Sequence, residues 1–369
     1  MEPIVEPVIF TEDTFDVHFH CSRKHDIEET IELYTRIMKL IGLKKFMILC
    51  AAFHSPTKFN YDTNLKSACV KREMSPNVYV SASFKHNLDN SIETEANSLL
   101  KQTEEYYQAG FDGMKMLEAH PTLSKYVGMM CSERFSKAFA FLEENNIPIL
   151  MHVADPRKAW DKSKCTPWEL EHNRFYDESL PTFDECIDDI MDLMKKYPKL
   201  NLCLAHGGFL WEDTEKSKFE KFLGDYENTS VDLAGGPGCY FAQDPDFFIP
   251  FITKYQDKFI YGSDTYNSAP YDYANWEYDI QYRPRCARDS FAGDKKNYDY
   301  AGDKYDGMNL PKSVCRKVFY DNAIKKWGET PRKIDENWLM KELEWNEKFY
   351  AEHEFKSADL KKMRKLLEK

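Results

Sequence analysis

Short apolar runs alternate with longer amphipathic runs along most of this chain. Eight of the apolar runs have the length and composition of buried strands, and they cover residues 14–20, 45–53, 77–84, 112–117, 147–153, 200–206, 229–235 and 258–264. Segments with helical periodicity lie between them; residues 26–42 are the clearest case, with Gly42 as the stop, and another helix is expected within 63–74. Strands that are apolar on both faces suit a parallel sheet covered by helices. The pattern therefore predicts an α/β fold, a (β/α)₈ TIM barrel.

An open, doubly wound sheet is the alternative architecture. The first predicted strand is not followed by G-x-G-x-x-G, so nothing supports dinucleotide binding. Two predicted loops are long, at about residues 154–181 after the fifth strand and 265–310 after the eighth. Loops of this length in a compact domain are usually lids or binding loops. We expect the barrel to occupy residues 1–334 and a C-terminal extension of one or two helices to occupy 335–369.

Composition restricts the class of function. The chain has 369 residues, of which 42% are hydrophobic, and its net charge is −12. It contains no Lys/Arg block, so we expect no nucleic-acid partner, and an acidic surface does not attract anionic lipid. No segment approaches the length of a membrane span, and residues 1–16 predict no signal peptide. The ten cysteines form no C-x-x-C, which favours reduced thiols in a cytoplasmic protein.

Four of the apolar runs end in residues that can bind a metal ion. FDVHFH ends with His18 and His20, and the other runs end at His152, His206 and Asp264. Residues i and i+2 of a strand point to the same face, and the carboxyl ends of barrel strands meet at one rim. A divalent cation explains this convergence, because imidazole suits zinc and similar ions. A buried carboxylate is costly unless it is paired or bound to metal, so Asp264 is expected to bind the cation, to take a proton from its water, or both.

These motifs resemble those of the amidohydrolase superfamily, in particular its amidohydrolase-related branch, amidohydrolase 2. FDVHFH is similar to the D-x-H-x-H pattern of its first strand, HVADP and LAHGG to its histidine motifs in strands five and six, and YGSD to the G-[ST]-D of strand eight. FYDNAIKKWG resembles the helix that follows. The resemblance covers about residues 14–328 and implies a metal-dependent TIM-barrel enzyme, either a hydrolase or a decarboxylase.

The resemblance also implies a role for each residue. One divalent ion, commonly zinc, with manganese or another divalent ion as alternatives, would be held by four ligands. Those expected ligands are His18, His20, His152 and Asp264. His206 would act as an acid/base or as an electrophile toward the substrate, and Asp264 would shuttle the proton of a water whose pKa the metal lowers to about 7. Asp16 would orient the histidines of the first strand.

Lys115, in the fourth predicted strand, has three interpretations. We prefer a charged amine that binds an anionic substrate. The second is a structural ion pair with Asp112 or Glu118, and the third is a carboxylated lysine that bridges two metal ions, as in some members of the superfamily. Glu118 and His120 follow the strand and either face the pocket or cap the turn before Pro121.

The long loops carry aromatic and basic side chains that are candidate substrate contacts. Arg157 and Trp160 lie in the loop after strand five, and Tyr266 lies in the loop after strand eight. Such loops suit a planar or carboxylated organic substrate. The alternative is that these side chains pin the loops to the barrel or form a subunit interface.

Three functions were weighed against these features. The first is cleavage of a C–N or C–O bond in an amide, lactone or ester of a small molecule by a metal-activated water. The second is decarboxylation or hydration of a small aromatic or unsaturated carboxylic acid at the same site. The third is a non-catalytic barrel, which disagrees with a ligand set that keeps an open coordination position. Trp338, Trp345 and Phe349 form an aromatic stripe in the extension. Either the barrel of the same chain or a second chain must cover it, and we expect a homodimer in which this segment or the 265–310 loop takes part.

Overall fold

Eight parallel strands in sequential order form the centre of the computed structural model, which describes residues 13–21, 24–172, 174–265, 276–300, 302–353 and 358–369. The strands are Phe15–His20, Lys45–Leu49, Val78–Ala82, Gly113–Met116, Ile149–Met151, Leu202–Leu204, Ser230–Asp232 and Phe259–Ile260. The N–H of Val17 donates to the carbonyl of Tyr261 at 3.1 Å, and the N–H of Asp264 donates to the carbonyl of His18 at 2.9 Å. These bonds join the first strand to the chain after the last strand, which confirms the predicted barrel.

Helices surround this sheet, as expected for strands that are buried on both faces. Between the strands they are Ile27–Ile41, Thr63–Met74, Ile92–Gln108, Pro121–Val127, Glu133–Glu144, Pro167–Glu171, Phe183–Lys196, Lys216–Asp225, Pro237–Gln243 and Pro245–Lys254. After the last strand come Trp276–Phe291, Lys312–Arg316 and Asn322–Trp327. The first helix begins with a capping box between Asp26 and Glu29 and ends at Gly42, whose φ of 74° favours glycine. The helix expected within residues 63–74 is confirmed.

The observed strands are shorter at their carboxyl ends than the sequence suggested. Strands five, six and eight were predicted to end at their site residues, but they end at Met151, Leu204 and Ile260. His206 and Asp264 follow in turns, each with a φ of 58°. A residue with positive φ cannot continue a strand ladder, so the prediction that these side chains occupy the last strand positions was wrong. They still emerge at the same rim of the barrel.

Two β-hairpins are present that the sequence did not indicate. The apolar run 45–53 breaks after Leu49, and Phe53–Ser55 pairs with Lys58–Phe59 in an antiparallel hairpin. Tyr298–Tyr300 pairs with Asp303–Tyr305 inside the predicted 265–310 loop. A continuous apolar run does not show where a buried strand stops and a hairpin begins, because both need the same residue types.

The C-terminal extension contains the helices Glu336–Glu352 and Ala358–Leu367. Leu339 and Leu343 are fully buried. The ring of Trp338 lies 5.0 Å from that of Phe111, and Trp345, which stacks on Phe349, remains 41% exposed. The chain itself therefore covers much of the aromatic stripe, while the homodimer and the domain boundary at residue 334 stay predictions. Within the described part of the chain, no helix has both the length and the apolar character needed to cross a membrane.

Candidate metal centre

A cavity of about 630 Å³ lies at the carboxyl ends of the barrel strands. The residues predicted to form the site include six that line it, namely His18, His20, Lys115, His152, His206 and Asp264. They come from strands one, four, five, six and eight or from the turns that follow those strands. The barrel thus brings together side chains that are up to 246 positions apart in the sequence, from residue 18 to residue 264.

Three of the predicted ligands form a compact group. His18, His20 and Asp264 each offer a ligand atom, and these atoms lie within 4.8 Å of one another. Oδ1 of Asp264 is 3.1 Å from Nε2 of His20 and 3.6 Å from Nε2 of His18. Its other oxygen, Oδ2, forms an ion pair with Arg283 at 2.5 Å. One carboxylate oxygen therefore faces two imidazoles, while a guanidinium holds the other.

The ring of His18 is oriented by Asp232, a residue that the sequence analysis missed. Nδ1 of His18 donates to Oδ2 of Asp232 at 2.7 Å, and Oδ1 of Asp232 accepts the N–H groups of His206 and Ala234 at 2.7 and 3.1 Å. Burial lowers the pKa of His18 well below its usual value, and the charge of Lys115 lowers it further. The neutral ring then presents the lone pair of Nε2 toward Asp264. Two hydrogen-bond acceptors that face each other in this way suit a cation between them.

His152 and His206 also direct the lone pairs of their rings toward each other. Nδ1 of His206 lies 2.9 Å from the carbonyl of Ala234, and Nε2 of His152 lies 2.9 Å from the carbonyl of Ala154. Because a carbonyl only accepts, each of these nitrogens carries the hydrogen. The remaining nitrogens, Nε2 of His206 and Nδ1 of His152, are 3.1 Å apart. Burial lowers the pKa of both rings, that of His206 to about 4, so two lone pairs face each other at neutral pH.

The donor set therefore fits a divalent cation. Imidazole nitrogen and carboxylate oxygen are the ligand types that zinc and manganese accept, and their lone pairs are directed into one cavity. The compact group contains three of the four predicted ligands. The fourth, His152, lies against His206 and belongs to a second group with His120 and Asp155.

Lys115 is fully buried, and its amine has no hydrogen-bond partner among the described residues. Burial lowers its pKa to about 8, although nearby carboxylates oppose the shift. The ion-pair interpretation was wrong, because Asp112 pairs with Lys71 at 2.6 Å and Glu118 pairs with His86 at 2.9 Å. An unpaired amine on the cavity wall is consistent with the preferred interpretation of an anion contact.

Asp16 contacts the backbone of His18 rather than its ring. Its Oδ1 accepts the N–H groups of His18 and Ser263, both at 3.0 Å. Burial raises the pKa of this carboxyl to about 7. Asp16 thereby joins the first strand to the turn after the eighth, and Asp232 provides the contact with the imidazole.

Two of the three loop residues predicted to bind substrate do not line the cavity. Arg157 forms an ion pair with Asp184 at 2.9 Å and another with Glu215 at 2.5 Å. Nε1 of Trp160 donates to the carbonyl of Pro181 at 3.0 Å. Both side chains pin the loop after strand five to the barrel, which was the alternative interpretation. The third residue, Tyr266, lies outside the described residues.

Other basic side chains line the cavity instead. They are Lys58 on the first hairpin, Arg174 in the loop after strand five and Arg283 on the helix after strand eight. Among the described residues, Lys58 and Arg174 form no ion pair with a carboxylate. The sequence could not place these residues, because their positions depend on a hairpin and on loop folding that no periodicity reveals.

Comparison with known proteins identifies the family. A family model described as amidohydrolase (amidohydrolase 2) matches residues 91–328. No curated protein matches the chain. A solved structure with a similar fold is a probable 2-pyrone-4,6-dicarboxylic acid hydrolase from Acinetobacter baumannii with bound citric acid, with 11% identity over 86% of this chain and 100% of the other and a TM-score of 0.50.

Two more solved structures share the fold. One is a 4-oxalomesaconate hydratase from Rhodopseudomonas palustris, with 14% identity over 91% of this chain and 99% of the other and a TM-score of 0.53. The other is the IDCase of Metarhizium anisopliae in apo form, with 12% identity over 86% and 97% of the two chains and a TM-score of 0.52. At these identities the likeness shows a common barrel fold. The match of the family model extends over well more than half of the chain, and the chain therefore belongs to the amidohydrolase family, amidohydrolase 2.

Proposed function

We propose that this protein is a metal-dependent hydrolase that uses an activated water to cleave a C–N or C–O bond, in an amide, lactone or ester, of a small organic anion. The observation that carries the proposal is the compact set of potential metal ligands His18, His20 and Asp264, in which Oδ1 of Asp264 lies 3.6 Å from Nε2 of His18 and 3.1 Å from Nε2 of His20. A divalent ion held by these residues together with His152 would polarise the scissile carbonyl and acidify the attacking water.

Asp264 and His206 supply the proton transfers in this proposal. Arg283 occupies Oδ2 of Asp264, so Oδ1 is the oxygen that takes the proton of the attacking water and delivers it to the leaving group. His206 has its Nδ1 hydrogen directed at the carbonyl of Ala234, which leaves Nε2 to accept a proton or, once protonated, to donate one. The two residues thus act on the same reacting group from different walls of the cavity.

The basic lining supports a carboxylate on the substrate. Lys58, Lys115, Arg174 and Arg283 surround a cavity whose described acidic lining residues are Asp155 and Asp264. The lining thus carries more basic than acidic side chains, whereas the whole chain has a net charge of −12. The excess of basic groups is therefore a local feature of the site. Guanidinium and ammonium groups in a partly dehydrated cavity bind carboxylates through charge-assisted hydrogen bonds.

The same lining also favours a second candidate, the decarboxylation or hydration of a small aromatic or unsaturated carboxylic acid. In hydrolysis the carboxylate would only anchor the substrate, whereas in decarboxylation it would be the group that leaves. The solved structures of similar fold are named as both a hydrolase and a hydratase. The two candidates differ in their products and not in the residues that they need.

The test combines metal analysis with a substrate screen. We expect one divalent ion per chain in the purified wild type and loss of that ion in the double variant His18→Ala/His20→Ala. A matched control, His25→Ala/His353→Ala, removes two histidines that do not line the cavity and should keep the metal. Full metal content in the first double variant would show that the ligand assignment is wrong.

The screen then presents esters, lactones, amides and carboxylic acids to the protein with and without chelator. Turnover of one of the first three classes that disappears with chelator supports hydrolysis. Release of carbon dioxide from a carboxylic acid would favour decarboxylation. Turnover that chelator leaves unchanged would contradict a metal-dependent mechanism.

A further inference from the structure

A second cluster of titratable side chains lies beside the proposed metal centre. His120, His152 and Asp155 line the same cavity, with ligand atoms within 4.8 Å of one another. The hydroxyl of Tyr176 donates to Oδ2 of Asp155 and is 3.1 Å from Nε2 of His120. Such a cluster has two possible uses: it binds a second cation, or it supports His152 by hydrogen bonds.

The tautomer of His120 distinguishes these uses. The backbone N–H of Thr122 donates to Nδ1 of His120 at 3.3 Å, and the hydroxyl of Thr122 lies 2.8 Å from the same nitrogen. A backbone N–H only donates, so Nδ1 holds the lone pair and Nε2 of the neutral ring carries the hydrogen. That hydrogen is directed at Oδ2 of Asp155, 3.2 Å away. A protonated nitrogen is not a metal ligand, and the cluster therefore does not offer three lone pairs to a second cation.

Asp155 is placed to act on His152 instead. Nε2 of His152 donates to the carbonyl of Ala154 and lies 3.6 Å from Oδ1 of Asp155. A carboxylate at this position favours the tautomer with hydrogen on Nε2, because it attracts the N–H dipole. Nδ1 then keeps its lone pair and remains directed at the cavity, 3.1 Å from Nε2 of His206. Ala154 has a φ of 58°, an unfavourable conformation for alanine that the surrounding contacts must maintain.

The loop after strand five delivers the support for Asp155. The N–H of Tyr176 donates to the carbonyl of Ala159 at 2.7 Å, and its ring lies 4.7 Å from that of Trp160. Trp160 is fixed in turn by its bond to Pro181. The loop therefore folds on itself and holds the Tyr176 hydroxyl against Asp155, and this gives Trp160 a use other than substrate contact.

From this geometry we propose that Asp155, supported by Tyr176 and His120, is a positioning residue that keeps Nδ1 of His152 available to the metal. The inference rests on the proposed function, because it requires His152 to be a ligand. It goes beyond that function by assigning the loop after strand five to the orientation of one ligand. It also excludes a second metal at the cluster.

The first readout is the tautomer of His152 in metal-free protein. Nitrogen NMR of protein labelled at its histidines, with the His152 signals assigned by their loss in His152→Gln, should show hydrogen on Nε2 in the wild type. In Asp155→Asn the signals should shift toward a mixture of tautomers. Hydrogen on Nδ1 in the wild type would overturn the proposal.

The second readout is the affinity and spectrum of bound Co²⁺. Removal of an outer carboxylate partner typically weakens metal binding by about 10–100-fold, and we expect this loss in Asp155→Asn, with altered visible absorption bands. Tyr176→Phe should show a smaller loss in the same direction, and it carries the test if Asp155→Asn does not fold. Tyr197→Phe is the matched control, because its hydroxyl donates to the carbonyl of Ser136 at 3.1 Å, outside the cavity.

The outcomes separate this proposal from the proposed function. Wild-type Co²⁺ affinity and spectrum in both Asp155→Asn and Tyr176→Phe would overturn the positioning role while leaving the metal centre intact. Two ions per wild-type chain, with one lost in Asp155→Asn, would overturn it in favour of a second cation site. No metal binding by the wild type would contradict the proposed function itself, and this inference with it.

Discussion

Asp264→Asn is the most direct perturbation of the proposed chemistry. The backbone at residue 264 has a φ of 58°, which asparagine tolerates as well as aspartate, so the substitution should preserve the fold. Arg283 only donates hydrogen bonds, and it occupies the Oδ2 side of residue 264. The amide oxygen of the introduced asparagine should therefore turn to Arg283, and its NH₂ group should take the place of Oδ1 between the two imidazoles. The variant thus loses a proton acceptor and a metal ligand in one step.

The expected magnitude follows from these two losses. General acid–base catalysis accelerates a reaction by about 10²–10⁴-fold. The turnover of metal-saturated variant protein should therefore fall by a factor within that range or larger. The affinity for metal should fall as well, and the affinity for a competitive carboxylate inhibitor should change little. The assay measures kcat and KM on the substrate found in the screen, together with metal content at each metal concentration.

Two further variants test whether the loss of turnover and of metal affinity comes from the Asp264 carboxylate itself. Asp321→Asn removes a carboxylate from a half-exposed Asp–Arg pair, in which Arg316 lies 3.2 Å away, and it should have wild-type turnover. Combining Asp264→Asn with Arg283→Gln should restore part of the metal affinity, because the glutamine no longer forces the amide oxygen away from the imidazoles. Near-wild-type turnover of metal-loaded Asp264→Asn would refute the reasoning. The carboxylate would then be structural, and His206 or the metal alone would carry the chemistry.

Three other predictions follow from the structure. Lys115 should be an unmodified amine, so intact-protein mass spectrometry should show no added carboxylate; a second metal within about 3.5–4 Å of the first would contradict this. His86 is buried, which lowers its pKa, but its hydrogen bonds to Glu118 and Glu95 outweigh burial and raise the pKa above 6.5. The stabilisation that this shift gives should be fully present below pH 6.5 and be lost as the pH rises through the higher folded-state pKa; denaturant titrations of wild type and His86→Gln that differ equally at pH 6 and pH 9 would refute it. Sedimentation should show a homodimer at micromolar concentration, and a clean monomer there would contradict the prediction made from the aromatic stripe.

The sequence was sufficient to predict the barrel and five of the residues that line its cavity. Eight apolar runs with helical segments between them leave few architectures open, and His18, His20, His152, His206 and Asp264 could be found because each closes such a run. Their convergence follows from the barrel, since all strand ends meet at one rim. The observed strands are shorter than the predicted ones, but their carboxyl ends still meet at this rim.

The residues that the sequence missed either depend on turns and loops for their positions or lack a motif that marks them. Lys58 reaches the cavity through a hairpin concealed in a continuous apolar run. Asp232 ends a three-residue strand, and as a single carboxylate it had no paired motif to mark it. Arg157 and Trp160 were chosen for their chemistry, which suits loop anchoring and substrate binding equally. Residue type alone could not decide between these two uses.

Backbone conformation connects the fold to the chemistry of the site. Seven described residues other than glycine have positive φ, and three of them are asparagines, for which this conformation costs little. The other four are Ala154, His206, Phe209 and Asp264, which lie in or beside the cavity. Aspartate and histidine adopt this conformation more readily than alanine and phenylalanine do, so the strained backbone here is that of Ala154 and Phe209, and strain of this kind often clusters at functional sites. Here these conformations end the strands early and turn His206 and Asp264 into the cavity, while the Ala154 carbonyl accepts the Nε2 hydrogen of His152 and leaves Nδ1 of that ring facing the same space.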